Sequence, residues 1–247
     1  MALLHSFEKS GNQLFKYRGQ LPIFIFVIAI PVILCAPIQI ISCTLQAVVT
    51  SLAVLLSVIG LAIRSYTIAT TPANTSGRNT DKQIAETINT SGIYSMLRHP
   101  LYLGNYLMWI GIVLFTFNAW FILLISLIYW LYYERIMFAE ERFLEYKFGE
   151  AFTSWSLKVP AFIPSLKNYK NNEVPFSFKS VLRREYSGVG AMAFGFMFVD
   201  LLRDYAINNT FCMHRLSVYV FIGAMLLVLV LRTLKHHTKV LFEEGRS

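Results

Sequence analysis

The chain has 247 residues, of which 55% are hydrophobic and 15% are charged, and its formal net charge is +8. Soluble domains average about 45–50% apolar and about 25% charged residues, so this composition argues against a soluble domain. The positive charge would suit a nucleic-acid-binding protein. The basic residues, however, lie between long apolar runs, as is typical of integral membrane proteins. We therefore predict a membrane protein with no nucleic-acid partner.

Two apolar runs in the N-terminal part, residues 21–41 and 45–63, are long enough to cross a bilayer. A transmembrane helix needs about 20 apolar residues to span a hydrocarbon core of about 30 Å. The first run contains Pro22, Pro31 and Pro37, so we expect a kink or a break in it. No small-residue cleavage site follows this run, and we expect it to stay in the protein as a helix.

A third apolar block, residues 101–133, is too long for one crossing. We interpret it as a tight helical hairpin that turns near Asn118, and its second arm is expected to continue past the membrane. Two weaker spans follow at residues 188–202 and 216–231. The sequence thus predicts an all-α, polytopic membrane helical bundle with about six transmembrane helices.

The lysine and arginine residues are distributed unevenly in this six-span arrangement. With the N-terminus in the cytoplasm, 20 of the 22 basic residues are cytoplasmic, and only Arg203 and Arg215 lie outside. Because basic residues are retained on the cytoplasmic side, we predict that both termini are cytoplasmic. Two cytoplasmic segments, residues 70–100 and 133–186, then face each other.

The first candidate functional stretch is SGIYSMLRHPLYLGNY, residues 91–106. Pro100 favours a helix start, which puts Arg98 and His99 just before the positive end of a helix dipole, where an anion such as a carboxylate can bind. Aromatic faces and glycines that allow close approach surround them: Tyr94, Tyr102, Tyr106, Gly92 and Gly104. Taken alone, the stretch also fits an ordinary aromatic and basic belt at a membrane interface.

The second candidate stretch begins with Glu140 and Glu141. Adjacent residues on a helix point about 100° apart, so at most one of the two carboxylates is expected to face a pocket. That carboxylate could accept hydrogen bonds from an ammonium group or from ribose hydroxyls. Taken alone, this stretch also fits a solvated helix that balances Arg135, Arg142 and Lys147.

Together, the two stretches resemble the isoprenylcysteine carboxyl methyltransferase and phospholipid methyltransferase superfamily. The family pattern is TSG-x-Y-x-x-x-RHP-x-Y-x-G, a helical hairpin, EE-x-x-L-x-x-x-FG-x-x-Y and a closing VP…P. Where the family has tyrosines after FG, this chain has Phe152 and Trp155, which keep the bulk and lose the hydroxyl groups. The matching residues are Thr90, Ser91, Gly92, Tyr94, Arg98, His99, Pro100, Tyr102, Gly104, Glu140, Glu141, Leu144, Phe148, Gly149, Val159, Pro160 and Pro164. The resemblance covers about residues 64–164.

This resemblance implies a small membrane-embedded enzyme that uses S-adenosylmethionine at the cytoplasmic face. By position, it implies the following cofactor-binding residues, to which we add the motif residue Gly104: Ile88, Asn89, Tyr94, His99, Pro100, Leu101, Tyr102 and Glu140. It also implies a division into an N-terminal pair of helices (1–63), a methyltransferase core (64–165) and a C-terminal extension with two further helices (166–247).

The expected acceptor is a lipophilic molecule from the bilayer. Carboxyl methyltransferases of the family place an arginine one helical turn before the two glutamates, where this chain has Ile136, with Arg135 one residue away. We therefore predict a lipid or another membrane-soluble molecule with a polar head, rather than a prenylated protein C-terminus. Lys179, Arg183 and Arg184 would suit an anionic head group.

The expected catalytic residues are Arg98, which would hold an anion, Arg135, and two candidate proton acceptors. An amine acceptor must lose a proton before it is methylated, and Glu134, Glu141 or a water molecule could take that proton. A carboxylate acceptor needs no base.

Two other functions stay open on the sequence alone. A membrane reductase related to the sterol reductases would need a nicotinamide-binding motif where this chain has its pair of glutamates. A small transporter or scaffold would predict charges along a path through the membrane, and the first four spans contain almost none. No metal site is expected, because the cysteines form no pair and the adjacent His236 and His237 have no third ligand in view.

Overall fold

The computed structural model describes residues 2–35, 42–73, 75 and 83–246. Within these ranges the chain forms eight α-helices and no β-strand, which confirms the predicted all-α class. The helices are α1 (Ala2–Tyr17), α2 (Leu21–Cys35), α3 (Cys43–Ala69), α4 (Pro100–Leu114), α5 (Ala119–Phe148), α6 (Glu150–Ser156), α7 (Phe178–Asn208) and α8 (Leu216–His237).

Three of these helices, α3, α5 and α8, are long and apolar enough to cross a membrane. The number is four if α1 and α2, which meet at an angle of 79°, form one broken span. Helices lie at all six predicted spans, but α4 has only 15 residues and α7 does not meet the same length and hydropathy criteria. The structure therefore supports an integral membrane protein with three to four clear spans.

The N-terminal region differs from the prediction. No helix was predicted before residue 21, but residues 2–17 form α1, which packs along α5. Gly11 allows this contact, because a Cβ atom there would overlap the carbonyl oxygen of Arg135. The chain bends after α1, before Pro22, whereas Pro31 lies inside α2. Pro37 lies outside the described residues.

The predicted hairpin consists of α4 and α5. Its turn spans residues 115–118, and Phe117 adopts a positive φ of 59° there. Asn118 caps α5, because its side chain accepts a hydrogen bond from the Phe121 amide at 3.0 Å. With 30 residues, α5 is about 45 Å long, so it exceeds a bilayer core as expected.

Small residues let α3 and α4 approach closely, as is common between membrane helices. A Cβ atom on Gly104 would lie 2.6 Å from Arg64 Cγ and 2.8 Å from the Gly60 carbonyl oxygen. A Cβ atom on Gly111 would overlap Ser57 Oγ and the Ala53 carbonyl oxygen. The predicted domain boundary at residue 63 falls inside α3, which runs unbroken to Ala69.

The molecule has two distinct ends. At one end the α4–α5 turn meets α7, where Arg203 lies over the Phe117 ring at 4.0 Å. At the other end, the start of α7 meets the end of α3, since the Ser177 amide donates to the Ala69 carbonyl at 2.9 Å. The C-terminal tail returns to this second end, where Arg246 donates to the same carbonyl at 3.0 Å.

We expect Gly111→Ala to destabilise the protein by about 1–3 kcal/mol, the usual range for overpacking a tight contact. The added methyl group has no room between α3 and α4. Gly223→Ala on α8 is the control, because no heavy atom lies within 4 Å of its added Cβ. Thermal unfolding of the detergent-solubilised variants measures both, and equal unfolding temperatures for the two would contradict the close packing.

Candidate active site

A cavity of about 340 Å³ lies at the end of the molecule where α3 meets α7. This volume falls in the range of roughly 300–1,000 Å³ that is usual for small-molecule sites. Its described walls come from the α1–α2 turn, α3, the loop before α4, α4, α5 and α7. The polar lining residues with a charged, aromatic or amide side chain are Arg18, Arg64, Gln83, Tyr94, Arg98, His99, Tyr102, Asn105, Tyr133, Glu140 and Arg184.

Backbone hydrogen bonds join the two halves of the sequence motif. The amide of Arg98 donates to the Pro160 carbonyl at 2.9 Å, and the amide of His99 donates to the Ala161 carbonyl at 3.1 Å. The amide of Ser165 donates to the Met96 carbonyl at 2.9 Å. The closing VP…P segment therefore fixes the stretch that leads into α4.

Glu141 binds the two groups that were expected to hold an anion. One carboxylate oxygen, Oε1, lies 2.8 Å from His99 Nε2 and 3.0 Å from Arg98 Nε. The Arg98 guanidinium also donates from Nη1 to the Ser156 carbonyl at 2.7 Å. Arg98 and His99 are thus held by the protein itself, and we correct the expectation that they form an open anion site.

Glu140 is the member of the glutamate pair that lines the cavity, whereas Glu141 does not. Glu140 Oε2 lies 3.7 Å from His99 Nδ1, and the Glu140 carboxylate also interacts with the Tyr102 hydroxyl. The His99 and Tyr102 rings are stacked, with their centroids 5.7 Å apart. One carboxylate and two aromatic rings therefore form a connected wall.

A largely buried ion pair lies beside the cavity, which Arg64 also lines. Arg64 donates to both carboxylate oxygens of Glu185, from Nε at 2.9 Å and from Nη2 at 2.7 Å. Its Nη1 donates to Asn105 Oδ1 at 2.5 Å. Since Arg64, Asn105 and Glu185 belong to α3, α4 and α7, this network joins three helices at the cavity.

The Tyr94 hydroxyl lies in a desolvated, charged environment. Burial raises its pKa above the ordinary value, the nearby Glu140 carboxylate raises it further, and Arg184 opposes these effects. The tyrosine therefore stays neutral at physiological pH. Its hydroxyl lies near enough to Glu140 of α5 and Arg184 of α7 for both charges to affect its pKa.

The structure brings together seven of the residues that the sequence nominated, all of which line the cavity: Tyr94, Arg98, His99, Pro100, Leu101, Tyr102 and Glu140. Ile88 and Asn89 lie outside its lining, and the same loop contributes Gln83, Ile84 and Ala85 instead. Gly104 does not line the cavity either, because it forms the contact of α4 with α3.

Glu134 and Arg135 do not reach the cavity. Glu134 is exposed, and the Arg135 guanidinium lies 3.5 Å from the centre of the Phe7 ring of α1. Ile136 is completely buried in the hydrophobic core. We therefore omit Glu134 and Arg135 from the proposed site.

Sequence reasoning missed several lining residues outside the motif, among them Arg18, Arg64, Asn105 and Tyr133. Arg64 was visible only as a basic residue at a predicted membrane boundary, and Arg184 was expected only to suit an anionic head group. Their charge gave the signal that they lie near an interface, but only the packing of α3 and α7 shows that they face one cavity.

The part of the chain that the structure describes contains no group of three or more His, Cys, Asp or Glu residues that could hold a metal ion. Its three cysteines are free and exposed.

Residues 46–151 match the family model described as phospholipid methyltransferase. Over 84 residues, the chain is 37% identical to the cobalt-zinc-cadmium resistance protein CzcN of Cupriavidus metallidurans, covering 34% of this chain and 38% of that protein. It is 35% identical over 75 residues to the protein-S-isoprenylcysteine O-methyltransferase of Schizosaccharomyces pombe, covering 30% of this chain and 32% of that enzyme.

The protein-S-isoprenylcysteine O-methyltransferase of Xenopus laevis is 32% identical over 90 residues, which cover 36% of this chain and 31% of that enzyme. The chain thus spans between 31% and 38% of the length of these relatives. No solved structure was found to match it.

Proposed function

We propose that this protein, whose residues 46–151 belong to the superfamily of integral membrane methyltransferases, methylates a lipophilic acceptor with S-adenosylmethionine at the cytoplasmic face of a membrane. The observation that carries the proposal is the cavity in which Glu140, His99 and Tyr102 form one wall. These residues belong to the two halves of the motif and come together at the end of the molecule where α3 meets α7.

The chemistry of the cavity suits this donor. S-adenosylmethionine, when bound, supplies a methyl group on a positively charged sulfonium. Glu140 offers a carboxylate for an ammonium group or for ribose hydroxyls, and Tyr94 and Tyr102 offer ring faces for an adenine or a cation. Pro100 and Leu101 add an apolar wall. A site of this kind accelerates transfer mainly by holding donor and acceptor in contact.

A lipophilic acceptor fits the surroundings of the cavity. The cavity belongs to a chain with three to four helices that are apolar enough to cross a membrane, so lipophilic molecules of the bilayer are the acceptors at hand. The position at which carboxyl methyltransferases carry an arginine is the buried Ile136, and Arg135 stacks on Phe7. We therefore propose a membrane-soluble molecule with a polar head as the acceptor, and not a prenylated protein C-terminus.

No glutamate is assigned as a base. Glu134 is exposed away from the cavity, and Glu141 is bound by Arg98 and His99. An amine acceptor would then lose its proton to water.

We further propose six crossings with both termini in the cytoplasm. The distribution of basic residues supports this topology. The C-terminal tail lies at the same end as the cavity, because Arg246 contacts the end of α3 there. The cavity end would then be the cytoplasmic end, where a water-soluble donor is available.

The first prediction concerns donor binding. Glu140→Ala should weaken binding of S-adenosylhomocysteine by about 1.5–3 kcal/mol, the range for hydrogen bonds to charged groups. Glu134→Ala is the matched control, since it removes an exposed carboxylate two helical turns away that does not line the cavity. Isothermal titration calorimetry of the detergent-solubilised proteins measures both affinities. A wild-type protein that does not bind the ligand would refute the proposed function.

The second prediction concerns topology. In a variant with Cys35 and Cys43 replaced by serine, Cys212 should react with a membrane-impermeant maleimide in intact cells, because it is exposed at the end opposite the cavity. In a cysteine-free background, Lys167→Cys at the cavity end should react only after the membrane is permeabilised. The reverse labelling pattern would place the cavity on the outer side.

A further inference from the structure

Arg184 lines the cavity although it lies outside the segment that matches the methyltransferase family. It belongs to α7 and is only 6% exposed. The start of α7 is fixed by Ser177, whose side chain accepts from the Ser180 amide at 3.1 Å and whose amide donates to the Ala69 carbonyl. The C-terminal extension therefore carries a buried cation to the wall of the cavity.

The neighbouring residue shows why Arg184 faces the cavity. Glu185 directs its carboxylate to Arg64, which binds both oxygens. Because successive helix residues point about 100° apart, Arg184 takes a different direction and lines the cavity with Tyr94. A guanidinium has five N–H donors, so Arg184 can bind a carboxylate in addition to its contacts within the protein.

Arg184 and Glu140 form a pair of opposite charges near one ring. Both line the cavity, and both charges act on the pKa of the Tyr94 hydroxyl, which Glu140 raises and Arg184 lowers. The amino-acid end of S-adenosylmethionine carries an ammonium group and a carboxylate on one carbon atom. A site that binds both groups needs an anionic and a cationic side chain close together. The sequence motif offered Arg98 and His99 for the carboxylate, but Glu141 binds both of them.

We propose that Arg184 binds the carboxylate of the amino-acid end of the methyl donor, while Glu140 binds the ammonium group. This inference rests on the proposed function. It adds a cofactor-binding residue from the C-terminal extension, and it makes that extension part of the donor site. Arginine suits this role because its planar guanidinium binds a carboxylate through two parallel hydrogen bonds.

The test compares two ligands that differ only in the carboxylate, S-adenosylmethionine and decarboxylated S-adenosylmethionine. Calorimetry on the full-length protein in detergent measures both affinities, and their ratio isolates the contribution of the carboxylate. The wild-type protein should prefer S-adenosylmethionine by about 10- to 100-fold, which corresponds to hydrogen bonds between charged groups. Arg184→Gln should abolish most of this preference, because it should lower the affinity for S-adenosylmethionine and leave the affinity for the decarboxylated ligand unchanged.

The adjacent Arg183 provides the matched control, because it does not line the cavity and lies over the Phe242 ring at 5.6 Å. Arg183→Gln should keep the wild-type ratio. If Arg184→Gln does not fold, Arg184→Lys is used, which should reduce the ratio because an ammonium group cannot form the two parallel hydrogen bonds.

The outcomes separate the two proposals. A wild-type protein that binds neither ligand would overturn the methyltransferase proposal, and this inference with it. A wild-type protein that binds both ligands, with an unchanged ratio in the Arg184 variant, would overturn the role of Arg184 alone. An equal loss of affinity for both ligands leaves the ratio unchanged and also overturns it, because a purely structural role would have that effect.

Discussion

The bidentate ion pair between Arg64 and Glu185 is the contact on which the cavity depends. It joins α3 to α7, and the bond from Arg64 to Asn105 adds α4. The Glu185 side chain is only 3% exposed, and removing one partner of a buried ion pair typically costs about 3–5 kcal/mol, because the other charge is left unpaired. The pair therefore ties the C-terminal extension to the segment that matches the phospholipid methyltransferase family model, and the residue before Glu185, Arg184, reaches the cavity as a consequence.

The same packing decides which charged groups remain available to a ligand. Glu141 binds Arg98 and His99, and Glu185 binds Arg64. Each of these carboxylates lies outside the lining of the cavity and binds side chains that are part of it. Glu140 is left as the acid that faces the cavity among the described lining residues. Charges fixed in this way need little rearrangement when a ligand binds, which is how preorganised sites gain their effect.

The all-α class and the helical hairpin could be predicted from local signals in the sequence, and seven cavity residues could be predicted from the motif and the family resemblance that it carries. Proline at a helix start, the turn at Asn118 and the spacing of the motif are such signals. The contacts of Arg18 and Arg184 with the cavity could not be predicted, since they depend on how α1 and α7 pack. Gly104 shows a related error: its small size was assigned to ligand approach, whereas it permits the contact of α4 with Gly60. The amphipathic α1 was missed because its apolar residues pack on another helix rather than forming a continuous run.

We propose that this cavity is the site where a methyl group passes to a lipid-like acceptor. The most direct test incubates membranes that contain the protein with S-adenosylmethionine labelled in its methyl group, then measures label in the organic extract. The account predicts label in an extractable lipid with the wild-type protein, and a large loss of that label with Glu140→Ala. Label that is equal in both membranes, or that appears only on protein, would contradict it.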